Sequence, residues 1–130
     1  VLLKGIPSVY TTLSMLELLD ARGFSRAYTF VYVPVDFARG SGLGYAVVSL
    51  SSHEDALLLM RAFEGFNQWG VADDSVCAVS WNEPHQGLDA LIERYRNSPV
   101  MHPSVAQAHR PAVFAGGRRV AFPPPTRTAH

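Results

Sequence analysis

A period of two over residues 43–50, Leu-Gly-Tyr-Ala-Val-Val-Ser-Leu, constrains this chain more than any other stretch. From Tyr45 onward, Ala46, Val48 and Leu50 fall on one face, and Tyr45, Val47 and Ser49 on the other. Successive side chains of an extended backbone point to opposite sides, so the pattern predicts a strand with one buried face. Gly40, Ser41 and Gly42 before it, and Ser51 and Ser52 after it, are turn-formers that bound the strand. A lone strand is not stable, and the rest of the chain has to supply its neighbours.

Residues 1–6, Val-Leu-Leu-Lys-Gly-Ile, read as a short strand closed by Pro7, with Val1 and Leu3 toward the core and Leu2 and Lys4 toward the other face. Thr11 is placed to cap a first helix, with Tyr10 and Met15 as a hydrophobic staple, Leu16 and Leu19 as the buried stripe and Gly23 as the stop. Residues 27–35 alternate again until Pro34. With Val31 and Val33 inward, Phe30 and Tyr32 share the face of Tyr45. A loop over 36–42 carries Phe37 and Arg39. Ser52, with Asp55 three residues on, opens a second helix in a capping-box arrangement; Ala56, Leu59 and Phe63 face the sheet and Gly65 ends it. A loop with Trp69, Asp73 and Asp74 leads to a fourth strand over 76–81, and both Trp69 and Trp81 read as packing residues. The order β-α-β-β-α-β predicts an α+β, ferredoxin-like fold with a four-stranded antiparallel sheet.

Two pieces follow. Leu88, Leu91, Ile92 and Tyr95 recur at i, i+3, i+4 and i+7, which predicts an amphipathic helix over 88–97 with Arg94 and Arg96 on its polar side. The pattern leaves open whether this helix crosses the sheet or lies beside it. Residues 112–115, Gly116-Gly117 and residues 118–122 read as a β-hairpin tail, and Pro123-Pro124-Pro125 as a stiff polyproline exit. The chain therefore divides into residues 1–101, a domain with its C-terminal helix, and residues 102–130, a basic extension containing Pro and Arg.

The formal net charge is zero, but the charges are not evenly spread. Residues 1–93 hold five Lys/Arg and all eleven Asp/Glu, a balance of −6, while residues 94–130 hold six Arg and no acid, a balance of +6. Such a tail either reaches a polyanion or folds back on its own acidic body. The single cysteine, Cys77, excludes an internal disulfide and a Cys-rich zinc site, and its apolar surroundings predict a buried thiol. His53, His85, His102, His109 and His130 are scattered, so no metal or cofactor is expected. Ser, His and Asp are present, but in no nucleophile elbow, P-loop or metal-ligand spacing, and an enzyme is not expected. The sequence shows no signal peptide, transmembrane run or lipidation motif. An intracellular location, nuclear or cytoplasmic and away from membranes, is the expectation. The chain starts inside a strand and reads as a piece of something longer.

Gly44, Tyr45, Ala46 and Val48 resemble the longer RNP motif of RNA recognition motifs, basic-Gly-aromatic-Gly/Ala-aromatic-Val-x-aromatic; Leu43, Val47 and Leu50 depart from it. Further blocks are similar to the C-terminal RNA recognition motif of the Mei-two-like proteins, regulators of meiosis and development. Residues 5–11, Gly-Ile-Pro-Ser-Val-Tyr-Thr, resemble that family's Asn-Ile-Pro-Asn-Lys-Tyr-Thr. Residues 28–37, Tyr-Thr-Phe-Val-Tyr-Val-Pro-Val-Asp-Phe, follow its Tyr-Asp-Phe-x-Tyr-Leu-Pro-x-Asp-Phe. Ile92, Glu93 and residues 97–101, Asn-Ser-Pro-Val-Met, resemble its C-terminal end. Gly5 stands where the family has Asn, Val47 where an aromatic is usual, and the 36–44 loop keeps only Arg39 of its basic residues.

The resemblance implies a non-enzymatic, single-stranded RNA-binding module of a post-transcriptional regulator, binding on the open sheet face with help from the basic C-terminal segment. On that reading Tyr45, Tyr32, Phe30, Leu2 and Val47 form the base-contacting face, with Tyr45 the main stacking ring. Lys4, Arg39, Arg94, Arg118 and Arg119 meet phosphates. Stacking is worth about 1–3 kcal/mol per base, so the non-aromatic Leu2 and Val47 imply weak binding by this domain alone. The alternative is a protein-interaction module that meets a partner through the helix or the hairpin.

Overall fold

A computed structural model describes residues 1–82 and 86–126; His85 and His130 lie outside the described residues. The first half of the chain forms β1 (Leu2–Lys4), α1 (Thr12–Ala21), β2 (Tyr28–Tyr32), β3 (Val35–Asp36), β4 (Ser41–Gly42) and β5 (Tyr45–Leu50). The second half forms α2 (His53–Phe63), β6 (Ala78–Ser80), α3 (Leu88–Tyr95), β7 (Ala112–Ala115) and β8 (Arg118–Val120), with short 3-10 turns at Pro99–Met101 and Gln107–His109. The alternating stretch, β5, lies inside a six-stranded antiparallel sheet of order β6-β1-β5-β2-β7-β8.

The four expected strands make the β6-β1-β5-β2 part. Residues 102–130, set apart by composition, contribute the other two. Phe30 faces Val113 and Val31 faces Ala112, so the hairpin continues the sheet from the edge of β2. Its turn works because Gly116 and Gly117 both hold positive φ, 60° and 84°, as a two-residue turn matching the sheet twist requires. The 36–42 loop is itself ordered as the two-stranded ribbon β3–β4. β2 ends at Tyr32, short of the expected Val35, because Pro34 has no N–H for the ladder.

The helices start as their caps dictate. Thr11 Oγ1 accepts the Ser14 N–H at 3.1 Å, and the staple residues Tyr10 and Met15 are both buried. Ser52 Oγ accepts the Asp55 N–H at 3.1 Å, while the Asp55 carboxylate takes its bond from Ser51 Oγ at 3.2 Å. Helices α1 and α2 bury Met15, Leu19, Leu59 and Phe63 against Leu3, Val31 and Val48 on one side of the sheet. Cys77 belongs to this core, and burial, followed by the charge of Glu64, pushes its thiol up to about 12. Trp69 is buried there too, its indole donating to Ser75 O at 2.8 Å, whereas Trp81 is 36 % exposed and stacks on His53.

A second core lies on the other side of the sheet. Strict alternation would put Tyr28 and Phe30 on one face, but the pairing slips between them: Tyr28 faces Leu50 and Phe30 faces Ser49. This bulge turns Tyr28 into the first core and Phe30 into the second.

Candidate nucleic-acid interface

The second core exists because α3 lies across the sheet. Its stripe is apolar, and leaving it in water costs about 1.5–3 kcal/mol per large side chain. Leu91 is 2 % exposed against Phe30, Tyr32, Val47 and Val113, and Leu88, Ile92 and Tyr95 pack around it. The Tyr95 ring stacks on Phe30 at 5.7 Å and meets Tyr32 edge-on at 5.1 Å. Phe122, returning after β8, reaches Phe30 at 6.5 Å. The tail is tied back to the helix end, where the Arg96 guanidinium donates to Pro124 O and the Asn97 side-chain amide bonds Thr126.

This corrects the expectation of an open face. Phe30 is 0 %, Tyr32 8 % and Val47 2 % exposed, so none of the three presents a free ring or side chain to solvent. The Tyr32 hydroxyl is pushed up to about 12, mainly by burial and then by Tyr95 and Tyr45, against an opposing effect of Arg94.

The helix is too short to roof the whole face. Eight residues span about 12 Å, while six strands extend about 24 Å across. Beside its C-terminal half a groove of about 560 Å³ remains over β1 and β5. Leu2 and Val47 are paired across its floor, and Lys4 and Tyr45 are paired one step along. Leu43, Gly44, Asn82, Arg94 and Tyr95 complete the walls. Tyr45 is half-buried, Lys4 exposed, and the Arg94 guanidinium sits 5.1 Å from the centre of the Tyr95 ring. Two cations and two tyrosines thus converge on one groove, which no acid lines among the described residues.

Of the residues singled out in the sequence, Leu2, Lys4, Tyr45, Val47 and Arg94 meet here, and the others do not. Arg39 stands at the tip of the β3–β4 ribbon, its side chain 83 % exposed and 3.8 Å from Asp36. Arg118 and Arg119 lie on β8, with β2 and β7 between them and β5. Neither pairs with Asp73 or Asp74 among the described residues. The Asp73 carboxylate instead accepts hydrogen bonds from Ser75, which lower its pKa.

Tyr95 was missed as a groove residue. Its signal was its place as the last member of the helical stripe, where the helix ends over the sheet. Gly5, which departs from the family's Asn, is explained by packing. It holds φ of +73°, and a side chain there would clash with the Val76 carbonyl oxygen. Among the described residues no group of His, Cys, Asp and Glu could hold a metal ion, and no helix is long and apolar enough to cross a membrane.

An antiparallel β-α-β-β-α-β sheet with two helices on one face is the architecture of RNA recognition motifs, a class of RNA-binding modules. The chain belongs to the RNA recognition motif 2 family, whose model matches residues 1–96, and its relatives are Mei-two-like proteins. It is 32 % identical to the protein terminal ear1 homolog of Oryza sativa, over 91 % of this chain and 19 % of that protein. It is 30 % identical to the meiosis protein mei2 of Schizosaccharomyces pombe, over 96 % of this chain and 17 % of that one. The chain thus spans less than a fifth of the length of either relative. Among solved structures, the Rna15 RNA recognition motif, a structure with bound RNA (GU), shares the fold at a TM-score of 0.54 and 17 % identity, over 72 % of this chain and 92 % of that one.

Proposed function

We propose that the groove beside α3 binds single-stranded RNA, as part of a post-transcriptional regulator. One base stacks on Tyr45, and Lys4 and Arg94 meet the flanking phosphates. The observation that supports this most is the convergence of Lys4, Tyr45, Arg94 and Tyr95 on the uncovered half of the sheet. A single strand suits such a site, because its bases are free to leave the helical stack and lie on an aromatic face. One stacked base contributes about 1–3 kcal/mol, so this domain binds weakly by itself and other parts of a longer protein would add to it. Of the rival reading, a protein-interaction module that meets a partner through the helix or the hairpin, the helix half has little surface left, since the stripe of α3 is already packed on the sheet.

Fluorescence anisotropy with a labelled single-stranded RNA tests the proposal. Tyr45→Ala should weaken binding by about 5- to 150-fold, the equivalent of one lost stack, while the thermal midpoint stays close to that of the unaltered chain. Unchanged affinity would remove Tyr45 from the binding site.

A further inference from the structure

We propose that Arg110 and Arg119 form a second anion site, outside the groove, that takes a backbone phosphate of the same RNA strand. The identity of this ligand rests on the RNA-binding reading above.

The site is a cavity of about 80 Å³ where the segment before β7 meets the strand β8. Met101, Val120 and Phe122 give it apolar walls; Gln107, Arg110 and Arg119 give it polar ones. The local chain holds both arginines in place. Arg110 Nε donates to Val105 O at 2.9 Å and its Nη2 to Pro103 O at 3.2 Å, while Arg119 Nη2 donates to Gln107 O at 3.1 Å. All three acceptors are neutral carbonyls. Neither arginine pairs with a carboxylate among the described residues.

A guanidinium carries five N–H donors in a rigid fork, so among the described residues most donors of this pair have no protein acceptor. The two groups also act on each other. Arg119 is exposed as a residue, yet its pKa is lowered, first by desolvation of its guanidinium and then by the charge of Arg110. Two like charges lining one cavity with no carboxylate beside them among the described residues are unfavourable, and a bound anion reverses the sign of that interaction. A phosphate matches the fork of each guanidinium through paired oxygens. The polar lining offers guanidinium donors that suit a phosphate, and a phosphate contact carries no sequence information.

The strand order says which phosphate. β8 lies three strand spacings from β5, about 14 Å, but α3 stands over the strands between them, and Arg119 is paired with Phe114 on the side of the first core, so an RNA strand has to pass α3 and round the β8 edge to reach it. A strand seated on Tyr45 therefore reaches Arg119 only if it is longer than the groove requires.

Two oligouridylates separate the sites, one of about four nucleotides and one of about sixteen, each titrated against the whole chain at several salt concentrations. The double variant Arg110→Gln, Arg119→Gln should lower the slope of log affinity against log salt by about 0.7 on the long RNA and leave the short one unchanged. Arg119→Lys, which keeps the charge, should restore most of that slope. Because Arg110 also holds the carbonyls of Pro103 and Val105, the thermal midpoint is measured for each variant. If the double variant does not fold, Arg119→Gln alone is read in its place. No change on the long RNA, or an equal loss on both lengths, overturns this site while leaving the groove standing. An unaltered chain that binds neither oligouridylate overturns the RNA reading and this site together.

Discussion

One sheet face carries two halves that look alike in sequence and differ in fate. The β2 half presents Phe30 and Tyr32, the β5 half Tyr45, all aromatic and all on the same side. Helix α3 lands on the first half, and Tyr95 stacks on Phe30. The second half keeps its groove. An aromatic at an outward position is therefore not in itself a binding residue. What separates the two halves is which strand lies under the helix, and that is set by the strand order and the length of α3.

Phe30→Ala should break the comparison most sharply. Phe30 is 0 % exposed, and removing a buried ring costs about 3–5 kcal/mol, to be read as a fall in denaturation midpoint. Tyr45→Ala should cost far less stability and act on RNA affinity instead; two similar stability losses would mean that both halves are core. Next in size, Lys4→Ala combined with Arg94→Ala should flatten the salt dependence of RNA affinity by about 1.4, two phosphates at about 0.7 each. An unchanged slope would show that the groove's cations do not touch phosphate.

The smallest effect concerns pH. Tyr32 has its pKa raised by burial from 10.0 to about 12, so its neutral form is the one the fold favours. Between these values the unfolded chain loses the proton and the folded one keeps it. The contribution of Tyr32 is thus fully present below pH 10 and is lost as the pH rises toward 12. Tyr32→Phe should make the alkaline unfolding curve shallower, as followed by circular dichroism. A variant as pH-sensitive as the parent would mean that Tyr32 is not buried in solution.

Local signals were legible in the sequence and long-range ones were not. The caps at Thr11 and Ser52, the alternation of β5 and the stripe of α3 each depend on residues a few positions apart, and each element formed at its expected place, α3 ending at Tyr95 rather than at residue 97. The landing place of α3 depends on contacts some sixty residues apart, such as Phe30 with Tyr95. One clue was present. Residues 30–35 are apolar without a break, as in a strand covered on both faces, whereas β5 has Ser49 in its outward series. The bulge between Tyr28 and Phe30 left no such mark, because either face would accept either ring. For the site, the same limit applies. Lys4, Tyr45 and Val47 follow from strand alternation, but their meeting with Arg94 and Tyr95 needed the helix docked.

The hairpin has a consequence for self-association. Without it β2 would be the outer strand, five residues long and apolar on both faces, with unpaired N–H and C=O groups offered to any passing chain. β7 occupies that edge at Phe30 and Val31. The new outer strand, β8, is three residues long and exposed, and two of its three residues are arginines. A second copy approaching edge to edge would have to bring like charges together over a ladder too short to compensate. The segment that composition marks as an appendage is thus what covers the β2 edge of the sheet.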